Sequence, residues 1–256
     1  MDRQASKLKS DEPRGVTGTS DVRLVALGDC NTHTGDPLQG TIPRGLVEAL
    51  SAAGVETQLS NLGGGMETCR EGLARLHNTP VTADIATINY GLVDAWSTCV
   101  PGLYVPYYPD SFVRKRLRKA LKFTKRRLLM SGLRRWLPSG TVVPETEFRD
   151  RIRQMIHTLR QRNAGVVIYV WGTVLVANHP ERNRLLLEYN DHLQHVAESE
   201  NATFVDSEQI VADLPPSQRT LEGVHLTPAA AARITSVMAE HYTARAAESS
   251  GSRSAA

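Results

Sequence analysis

A cysteine near the start of the chain and an acid–histidine pair near its end are the residues best suited to covalent chemistry. Cys30 closes a Gly-Asp-Cys sequence that follows the apolar run Val22–Leu27, and Glu222 precedes His225 by three positions. A nucleophile on a tight turn, a histidine base and a carboxylate that orients this base form the skeleton of a hydrolytic triad. The nucleophile position holds a thiol rather than a hydroxyl, so the reaction depends on what this sulfur does.

The elements that must position these residues alternate between strand and helix patterns along the chain. The predicted strands are Val22–Leu27, Glu56–Asn61, Asp84–Tyr90, Val166–Trp171 and Thr203–Asp206. The predicted helices are Ile42–Ala53, Glu67–Leu76, Glu145–Asn163, Arg182–Ser199 and a last helix that Thr227 caps, that Pro228 begins and that ends near Tyr242. Such alternation predicts a three-layer α/β/α sandwich with a five-stranded parallel sheet, of the flavodoxin-like type.

The residues that could do chemistry follow the ends of the predicted strands. Cys30 comes after the first strand, Gly63–Gly65 after the second, Asn89–Asp94 after the third, and His225 in the loop after the fifth. Ligands of parallel sheets bind outside the carboxyl ends of the strands. The sequence therefore predicts one site at this edge of the sheet.

Four sequence blocks resemble those of the SGNH/GDSL hydrolases, a superfamily of esterases, lipases, thioesterases and acyltransferases. They are Gly28-Asp29-Cys30 in place of Gly-Asp-Ser, Asn61–Thr68 with its three glycines, Gly91–Asp94 in place of Gly-x-Asn-Asp, and Glu222–His225 in place of Asp-x-x-His. The resemblance extends from Val22 to about Tyr242 and implies the SGNH hydrolase type of fold. It implies that Cys30 is the nucleophile, His225 the general base and acid, and Glu222 the group that orients His225.

The resemblance also implies an oxyanion hole and a substrate-binding surface. Backbone N–H groups of Cys30 and Gly65 are expected to hold the oxyanion. Val93 replaces the family asparagine, and loss of one such donor typically costs about 2.7–4 kcal/mol of transition-state stabilisation; Asn89 is expected as a substitute. The predicted substrate-binding residues are Asp29, Gly64, Gly91 and Asp94, of which the two acids are also expected to organise the loops.

The thiol of Cys30 changes the expected reaction. A neighbouring histidine and a helix N-terminus are expected to lower the pKa of this thiol and so to activate it. Thiolate is also a better leaving group than alkoxide, so an adduct formed on an oxygen ester would tend to expel the cysteine again. An acyl thioester donor, such as an acyl carrier protein or coenzyme A conjugate, removes that bias. The sequence therefore favours acyl transfer through a Cys30 thioester, ahead of simple hydrolysis by an esterase or thioesterase.

Two other functions stay open at this point. One is an ester hydrolase that acts on an acylated glycan or a small molecule. The other is a catalytically inactive relative that serves as an accessory protein, in which Cys30 is only a small buried side chain. Close approach of Cys30 to His225, with Glu222 beyond it, distinguishes an enzyme from an accessory protein.

A long connection, residues 96–144, contains a basic segment (residues 111–137). This segment carries eleven Lys and Arg residues and no acid; removing them from the total of 30 leaves 19 basic against 27 acidic residues, a balance of −8. Such a segment suggests an anionic partner: a carrier protein, a coenzyme A thioester, an anionic glycan, or an anionic membrane surface on which an amphipathic helix would lie. It lacks an aromatic platform or a recognised motif, so nucleic acid is not an expected partner.

Length and composition limit the remaining classes of protein to which the chain could belong. The chain has 256 residues, of which 41% are hydrophobic and 22% charged, as in ordinary globular proteins. One domain is expected over residues 21–244, with disordered tails at 1–20 and 245–256. Three scattered cysteines suit neither a disulfide framework nor a zinc site. No apolar run is long enough to span a membrane, and residues 1–20 lack the apolar core of a secretion signal, so a reducing cytoplasm is the expected compartment.

No cofactor or metal is expected. His192 and His195 lie three apart on a predicted helix, but the sequence supplies no third ligand. His33 follows the nucleophile turn and is expected either to line the site or to lie in a solvated loop. Cys69 and Cys99 are expected to be inert.

Overall fold

The strands of the computed structural model carry the site at their carboxyl ends. It describes residues 21–33, 41–130, 136–176 and 179–254, and only these are discussed below. Their strands are β1 (Val22–Gly28), β2 (Thr57–Asn61), β3 (Ile85–Asn89), β4 (Ser97–Cys99), β5 (Ser139–Thr141), β6 (Val167–Trp171), β7 (Thr203–Val205), β8 (Thr220–Leu221) and β9 (His225–Leu226). Their helices are α1 (Ile42–Ala52), α2 (Cys69–Asn78), α3 (Phe112–Met130), α4 (Glu145–Arg162), α5 (Pro180–Ser199), α6 (Ser207–Ile210), α7 (Pro216–Arg219) and α8 (Pro228–Ser254).

The central sheet is parallel, with strand order β2-β1-β3-β6-β7. Counting only the strands of this sheet, the order is 2-1-3-4-5, that of flavodoxin-like folds. The predicted fold class is therefore confirmed. The order reverses beside β1, so the residues after β1 and β3 lie at the switch point, where ligands of such sheets bind.

Helices cover both faces of the sheet because successive side chains of each strand point to opposite sides. Leu24 of β1 packs in a cluster with residues of α1 and α8. Its neighbour Val25 packs in a second cluster with residues of α2, α4 and α5. Burial of each such aliphatic side chain contributes roughly 1.5–3 kcal/mol. These two clusters fix the sheet as the rigid layer under the site.

Two helices that border the site begin at well-formed caps. The Thr68 hydroxyl accepts from the Arg70 backbone N–H, and Glu71 reaches back to the Thr68 N–H to complete a capping box at α2. At α8 the Thr227 hydroxyl accepts from the Ala230 N–H at 3.1 Å, and Pro228 is the first helical residue. The predicted start of the last helix is therefore confirmed.

The structure departs from the prediction at the end of the chain and gives the long connection elements of its own. Helix α8 continues to Ser254, past the predicted end near Tyr242 and through most of the segment expected to be disordered. The connection contains α3 and a short antiparallel pair, β4 with β5. The tail predicted at 1–20, residues 255–256, and Arg134 and Arg135 of the basic segment lie outside the described residues. Among the helices that the structure describes, none is long and apolar enough to cross a membrane.

Candidate functional site

The turn that carries Cys30 starts where β1 ends. The Thr32 and His33 backbone N–H groups donate to the Asp29 carbonyl at 3.1 and 3.0 Å and close the turn. A Cβ on Gly28 would lie 2.1 Å from the Thr32 hydroxyl oxygen and 2.8 Å from the Asn89 carbonyl oxygen. Only glycine fits here, because the turn folds back tightly against the end of β3.

Cys30 is half-buried and packs against the larger apolar cluster. Burial raises the pKa of its thiol well above the ordinary value, and the neighbouring Asp29 charge raises it further. The expected lowering of this pKa is therefore wrong. Residues 29–33 form a turn, and the seven residues that follow it lie outside the described part of the chain. The resting side chain is a neutral thiol that needs a base to become a nucleophile.

Asp29 is completely buried beside this thiol. Its Oδ1 accepts from the Asn31 backbone N–H at 3.1 Å, whereas Oδ2 has no hydrogen-bond partner among the described residues. Burial raises the pKa of Asp29 to about 7; backbone hydrogen bonds and the charge of Arg182 oppose this rise. Asp29 thus changes its charge near neutral pH at the position next to the nucleophile.

His225 lies in a short hairpin formed by β8 and β9. It pairs with Leu221, and the Val224 N–H donates to the Leu221 carbonyl at 3.0 Å. The two central residues of this turn, Glu222 and Gly223, have φ of 50° and 72°. Two positive φ angles in succession are those of a type I′ turn, which suits the twist of a two-stranded hairpin. The hairpin holds His225 half-buried at the carboxyl edge of the sheet.

The Asn31 side chain joins the two segments. Its Oδ1 accepts from the Leu226 N–H at 3.0 Å, and its Nδ2 donates to the Val224 carbonyl at 3.4 Å. These two contacts bracket His225, and Asn31 is the residue after Cys30. The structure therefore brings together the segments that contain the predicted nucleophile and base. The sequence reasoning missed Asn31, since its role depends on contacts across the fold.

Glu222 stands apart from the histidine that it is predicted to orient. Its side chain is exposed, and among the described residues its carboxylate has no hydrogen-bond partner, His225 included. Glutamate at φ 50° is uncommon, since left-handed backbone costs roughly 1–2 kcal/mol for a residue with a Cβ. An orienting role would require the Glu222 side chain to rotate towards His225.

The three glycines after β2 differ in what their backbone N–H groups do. The Gly63 N–H donates to the Asn61 side-chain oxygen at 2.9 Å, and the Gly64 N–H to the Gly28 carbonyl at 3.0 Å. Gly65 is exposed, and no described residue accepts from its N–H. This favours Gly65 as the glycine with a donor available for a ligand. His33 lies beside it, with Nδ1 3.3 Å from the Gly63 carbonyl oxygen.

The predicted side-chain oxyanion donor, Asn89, is engaged elsewhere. Asn89 is fully buried, and its Nδ2 donates to the Trp171 carbonyl at 2.8 Å, which ties β3 to β6. Val93, at the position of the family asparagine, is buried and apolar. Backbone N–H groups are consequently the better-placed oxyanion donors in this part of the site.

The other four predicted binding residues lie below the surface of the site. Asp94 is fully buried and accepts from the Gly91 N–H at 3.0 Å and from the Cys69 N–H at 2.9 Å, so it fastens the loop after β3 to the start of α2. Burial raises its pKa to about 6. Gly64 and Gly91 are also buried, as is Asp29. Their described contacts are to the protein itself, which agrees with the expected organisation of the loops.

Arg182, on the first turn of α5, was not predicted as a site residue. Its positive charge acts on both Asp29 and Cys30. Its guanidinium carbon lies 5.3 Å from the ring centre of Trp96, in the loop after β3. The position of Arg182 on a predicted helix start gave no signal, since only the fold brings α5 beside the nucleophile turn.

The remaining candidates do not form a metal site. Among the described residues, no group of three or more His, Cys, Asp and Glu side chains could hold a metal ion. His192 faces Glu145, and His195 is exposed with its Nδ1 3.1 Å from the Asp191 carbonyl oxygen. Cys69 and Cys99 are buried, and burial raises the pKa of the Cys69 thiol.

The sequence matches one protein family over most of its length. The sequence profile of the GDSL-like Lipase/Acylhydrolase family matches residues 26–233, which include both Cys30 and His225. The chain belongs to this family. No curated protein matches the chain.

Solved structures with the same fold are distant in sequence. A lipase/acylhydrolase from Enterococcus faecalis is 16% identical, covers 88% of this chain and 96% of its own, and has a TM-score of 0.58. The acetylxylan esterase Axe2 from Geobacillus stearothermophilus is 18% identical, with 84% and 91% coverage and a TM-score of 0.55. TesA is 17% identical, with 83% and 93% coverage and a TM-score of 0.53. At these identities the likeness bears on the fold alone.

Proposed function

We propose that this GDSL-family acylhydrolase relative transfers acyl groups through a thioester on Cys30, with an acyl thioester as donor. The observation that carries the proposal is the Asn31 side chain. Asn31 directly follows Cys30, and its side chain is hydrogen-bonded to the backbone on both sides of His225. A base held beside a thiol is what a cysteine nucleophile requires. The raised pKa of Cys30 makes this base essential, because little thiolate forms without it.

The first half-reaction loads the enzyme. His225 takes the thiol proton while the sulfur attacks the carbonyl carbon of the donor, and a carbon–sulfur bond forms to Cys30. The oxyanion is held by backbone N–H groups, with Gly65 as the donor that has no described acceptor of its own. The carbon–sulfur bond of the donor then breaks, and the departing thiolate receives the proton from His225.

The second half-reaction removes the acyl group from Cys30. An acceptor hydroxyl or amine, or water, attacks the thioester carbonyl while His225 takes its proton. The bond to Cys30 breaks, and the thiolate recovers the proton. Glu222 would support the imidazolium in both halves if its side chain turned towards His225. A thioester donor suits a thiol nucleophile because the two possible leaving groups are then alike.

A simpler ester hydrolase is the second candidate, and the family match favours it. The family consists of lipases and acylhydrolases, and Axe2 is by its name an acetylxylan esterase. In this chain the same site would pass the acyl group to water. Partition between water and an added alcohol or amine acceptor distinguishes the two functions.

Intact mass spectrometry after incubation with short acyl thioesters tests the proposal. The wild type is expected to gain one acyl group, located on Cys30 by peptide mapping. Cys30→Ala should gain none, and His225→Ala should load about 10²–10⁴-fold more slowly, as general-base catalysis contributes that much. His195→Ala, an exposed histidine remote from Cys30 in the sequence, is the matched control and should load as the wild type does. An adduct that survives in Cys30→Ala at the wild-type rate would contradict the mechanism.

A further inference from the structure

A cavity of about 660 Å³ opens beside Trp96 and the first turns of α5. Its lining residues are Trp96, Ser97, His179, Glu181, Arg182, Arg184 and Leu185. Two arginines against one glutamate give the lining an excess of positive charge. The cavity adjoins the loop after β3, at the carboxyl edge where Cys30 lies.

Arg182 is the unusual member of this lining. Its Nε and Nη2 atoms are buried, and neither has a hydrogen-bond partner among the described residues. No carboxylate in the described part of the chain lies within ion-pair distance of its guanidinium. Buried donors of a charged group are rarely left without acceptors, because desolvation then goes uncompensated. Asp29 does not supply the acceptor, because its Oδ2 atom also has no hydrogen-bond partner among the described residues.

The unpartnered N–H donors of Arg182 require a ligand with paired anionic oxygens. A guanidinium presents its N–H groups as a planar fork that fits a carboxylate or a phosphate. The guanidinium carbon of Arg182 lies 5.3 Å from the ring centre of Trp96, and this cation–π contact holds the Arg182 side chain at the cavity. We infer that Arg182 and Trp96 form a subsite for an anionic group, carboxylate or phosphate, of the molecule that reaches Cys30. This inference deepens the proposed function by giving the acyl donor a charge next to the reacting carbon.

Alkylation of Cys30 tests the subsite without any turnover. Iodoacetate and iodoacetamide are similar in size and differ in charge, so the ratio of their rates at Cys30 reports an anion site beside the sulfur. We expect Arg182→Met to lower the iodoacetate-to-iodoacetamide ratio about tenfold or more, the scale of a lost charge-assisted hydrogen-bond pair. Arg184→Met is the matched control, because Arg184 lines the same cavity but is exposed and paired with Glu188. An equal fall of the ratio in both variants would mean general surface charge and would overturn the subsite.

Binding of simple anions identifies the source of the charge. Succinate and inorganic phosphate are titrated calorimetrically into the wild type, Arg182→Met and Arg184→Met. Heat from succinate alone assigns the anionic group to the acyl chain, and heat from phosphate alone assigns it to the carrier. Either result must disappear in Arg182→Met and persist in Arg184→Met. No binding of either anion to the wild type overturns the inference, whereas a protein that binds anions but never forms an acyl adduct refutes only the proposed function.

Helix α3 has one side that faces the protein and one side that faces outward. One side of it faces the protein through five half-buried positions: Arg114, Arg118, Leu121, Lys125 and Leu128. Arg118 donates to the Pro106 carbonyl at 2.7 Å, and Lys125 to the Val100 carbonyl at 3.1 Å. At 100° per residue these positions share one side of the helix, so the opposite side is fixed facing outward.

The outward side combines apolar and basic side chains. Phe112, Phe123 and Met130 recur at spacings of 11 and 7 residues along one line of the helix and are 67%, 60% and 78% exposed. The exposed cations Arg116, Lys119, Arg126 and Arg127 flank this line, and Arg116 and Arg127 stack on the two phenylalanine rings. We infer that this face docks on an anionic lipid bilayer: the apolar line enters the headgroup region and the cations pair with lipid phosphates.

Vesicle co-sedimentation tests the docking surface. Binding to phosphatidylcholine vesicles with added phosphatidylglycerol should rise with the anionic fraction and fall with salt, and each basic side chain should strengthen it about fivefold. Replacing Phe112, Phe123 and Met130 by serine should weaken it severalfold at constant charge. Leu187→Ser with Val237→Ser, exposed apolar residues on α5 and α8, is the matched control. Unchanged vesicle binding in the triple variant, or binding to soluble heparin with none to vesicles, would overturn the bilayer as partner.

Discussion

The Asn31 side-chain oxygen accepts a 3.0 Å hydrogen bond from the backbone N–H of Leu226, a residue that is 1% exposed. This bond connects residues that are 195 positions apart in the sequence and joins the turn after β1 to the last hairpin. Its two participants are the neighbours of Cys30 and His225. The relative position of the predicted nucleophile and base thus depends on a side chain that does neither part of the chemistry.

Replacing Asn31 by alanine should impair activity more than folding. The buried Leu226 N–H would lose its acceptor, at a cost of about 1–3 kcal/mol in the free energy of unfolding, and the hairpin would no longer be fixed beside Cys30. We expect acyl loading to slow at least tenfold at temperatures where the variant is fully folded. Urea denaturation and intact-mass kinetics measure the two effects.

Asn163→Ala is the control for this prediction. The Asn163 amide donates to the Ala83 carbonyl at 2.8 Å, just before β3 begins and so at the opposite edge of the sheet. It should lower stability by a similar amount and leave loading unchanged. If the two variants load at the same reduced rate, global stability rather than positioning explains Asn31.

Glu222 has a strained backbone conformation, so its replacement is expected to affect the stability and the activity of the protein in opposite directions. Glu222→Gly should raise the free energy of unfolding by up to about 1 kcal/mol, because glycine accepts φ of 50° without the Cβ clash but loses more backbone entropy on folding. If Glu222 turns towards His225 during the reaction, this variant and Glu222→Gln should both load more slowly. Thermal denaturation and loading rates in the two variants give the answer; wild-type loading in both would remove Glu222 from the mechanism.

Much of the fold could be predicted because the signals are local. Alternating apolar runs set all five sheet strands to within two residues, and the Thr227-Pro228 pair marked the start of α8. The end of α8 could not be predicted, since its alanine-rich last turns carry no apolar face that distinguishes them from a tail. Helix α3 could be suspected from its apolar spacing, but its outward face is defined only by where the polar anchors of Arg118 and Lys125 lie.

The candidate site, like the fold, could be predicted from the sequence only in part. The position of Cys30 and His225 at one edge could be predicted, because both residues follow the carboxyl ends of strands that the sequence pattern assigns to a parallel sheet. The raised pKa of the Cys30 thiol could not be predicted from the sequence, because it depends on how far the turn is buried and on the charge of Asp29. Arg182 and Asn31 act through contacts between elements that are far apart in the chain. Local residue spacing does not predict such contacts, so these two residues were missed.

The buried carboxyl of Asp29 should make stability depend on pH. Its folded pKa of about 7 lies above the unfolded value of about 3.9, so between these pH values the folded protein keeps a proton that the unfolded chain releases. Stability is therefore greatest below the unfolded pKa and falls as pH rises towards 7, with a slope of at most about −1.4 kcal/mol per pH unit from this group. Asp94, with a pKa of about 6, adds a slope of the same sign.

Urea denaturation across pH 4–8 checks this dependence. Asp29→Asn removes the charge and keeps one acceptor for the Asn31 N–H, so it should gain stability relative to the wild type as pH rises. The variant retains the smaller slope that Asp94 produces. A wild-type stability that increases between pH 5 and 7 would contradict the assignment.

Asp29→Asn should also make Cys30 more reactive. The charge of Asp29 is the second cause, after burial, of the raised thiol pKa, so its removal increases the thiolate fraction at a given pH. We expect alkylation of Cys30 by neutral iodoacetamide to accelerate about tenfold above pH 8, where wild-type Asp29 is ionised; a shift of one pKa unit gives that factor. Below pH 6 the wild-type carboxyl is itself protonated, and the two proteins should react at similar rates. A constant difference at every pH would show that the substitution opens the site rather than changing its charge.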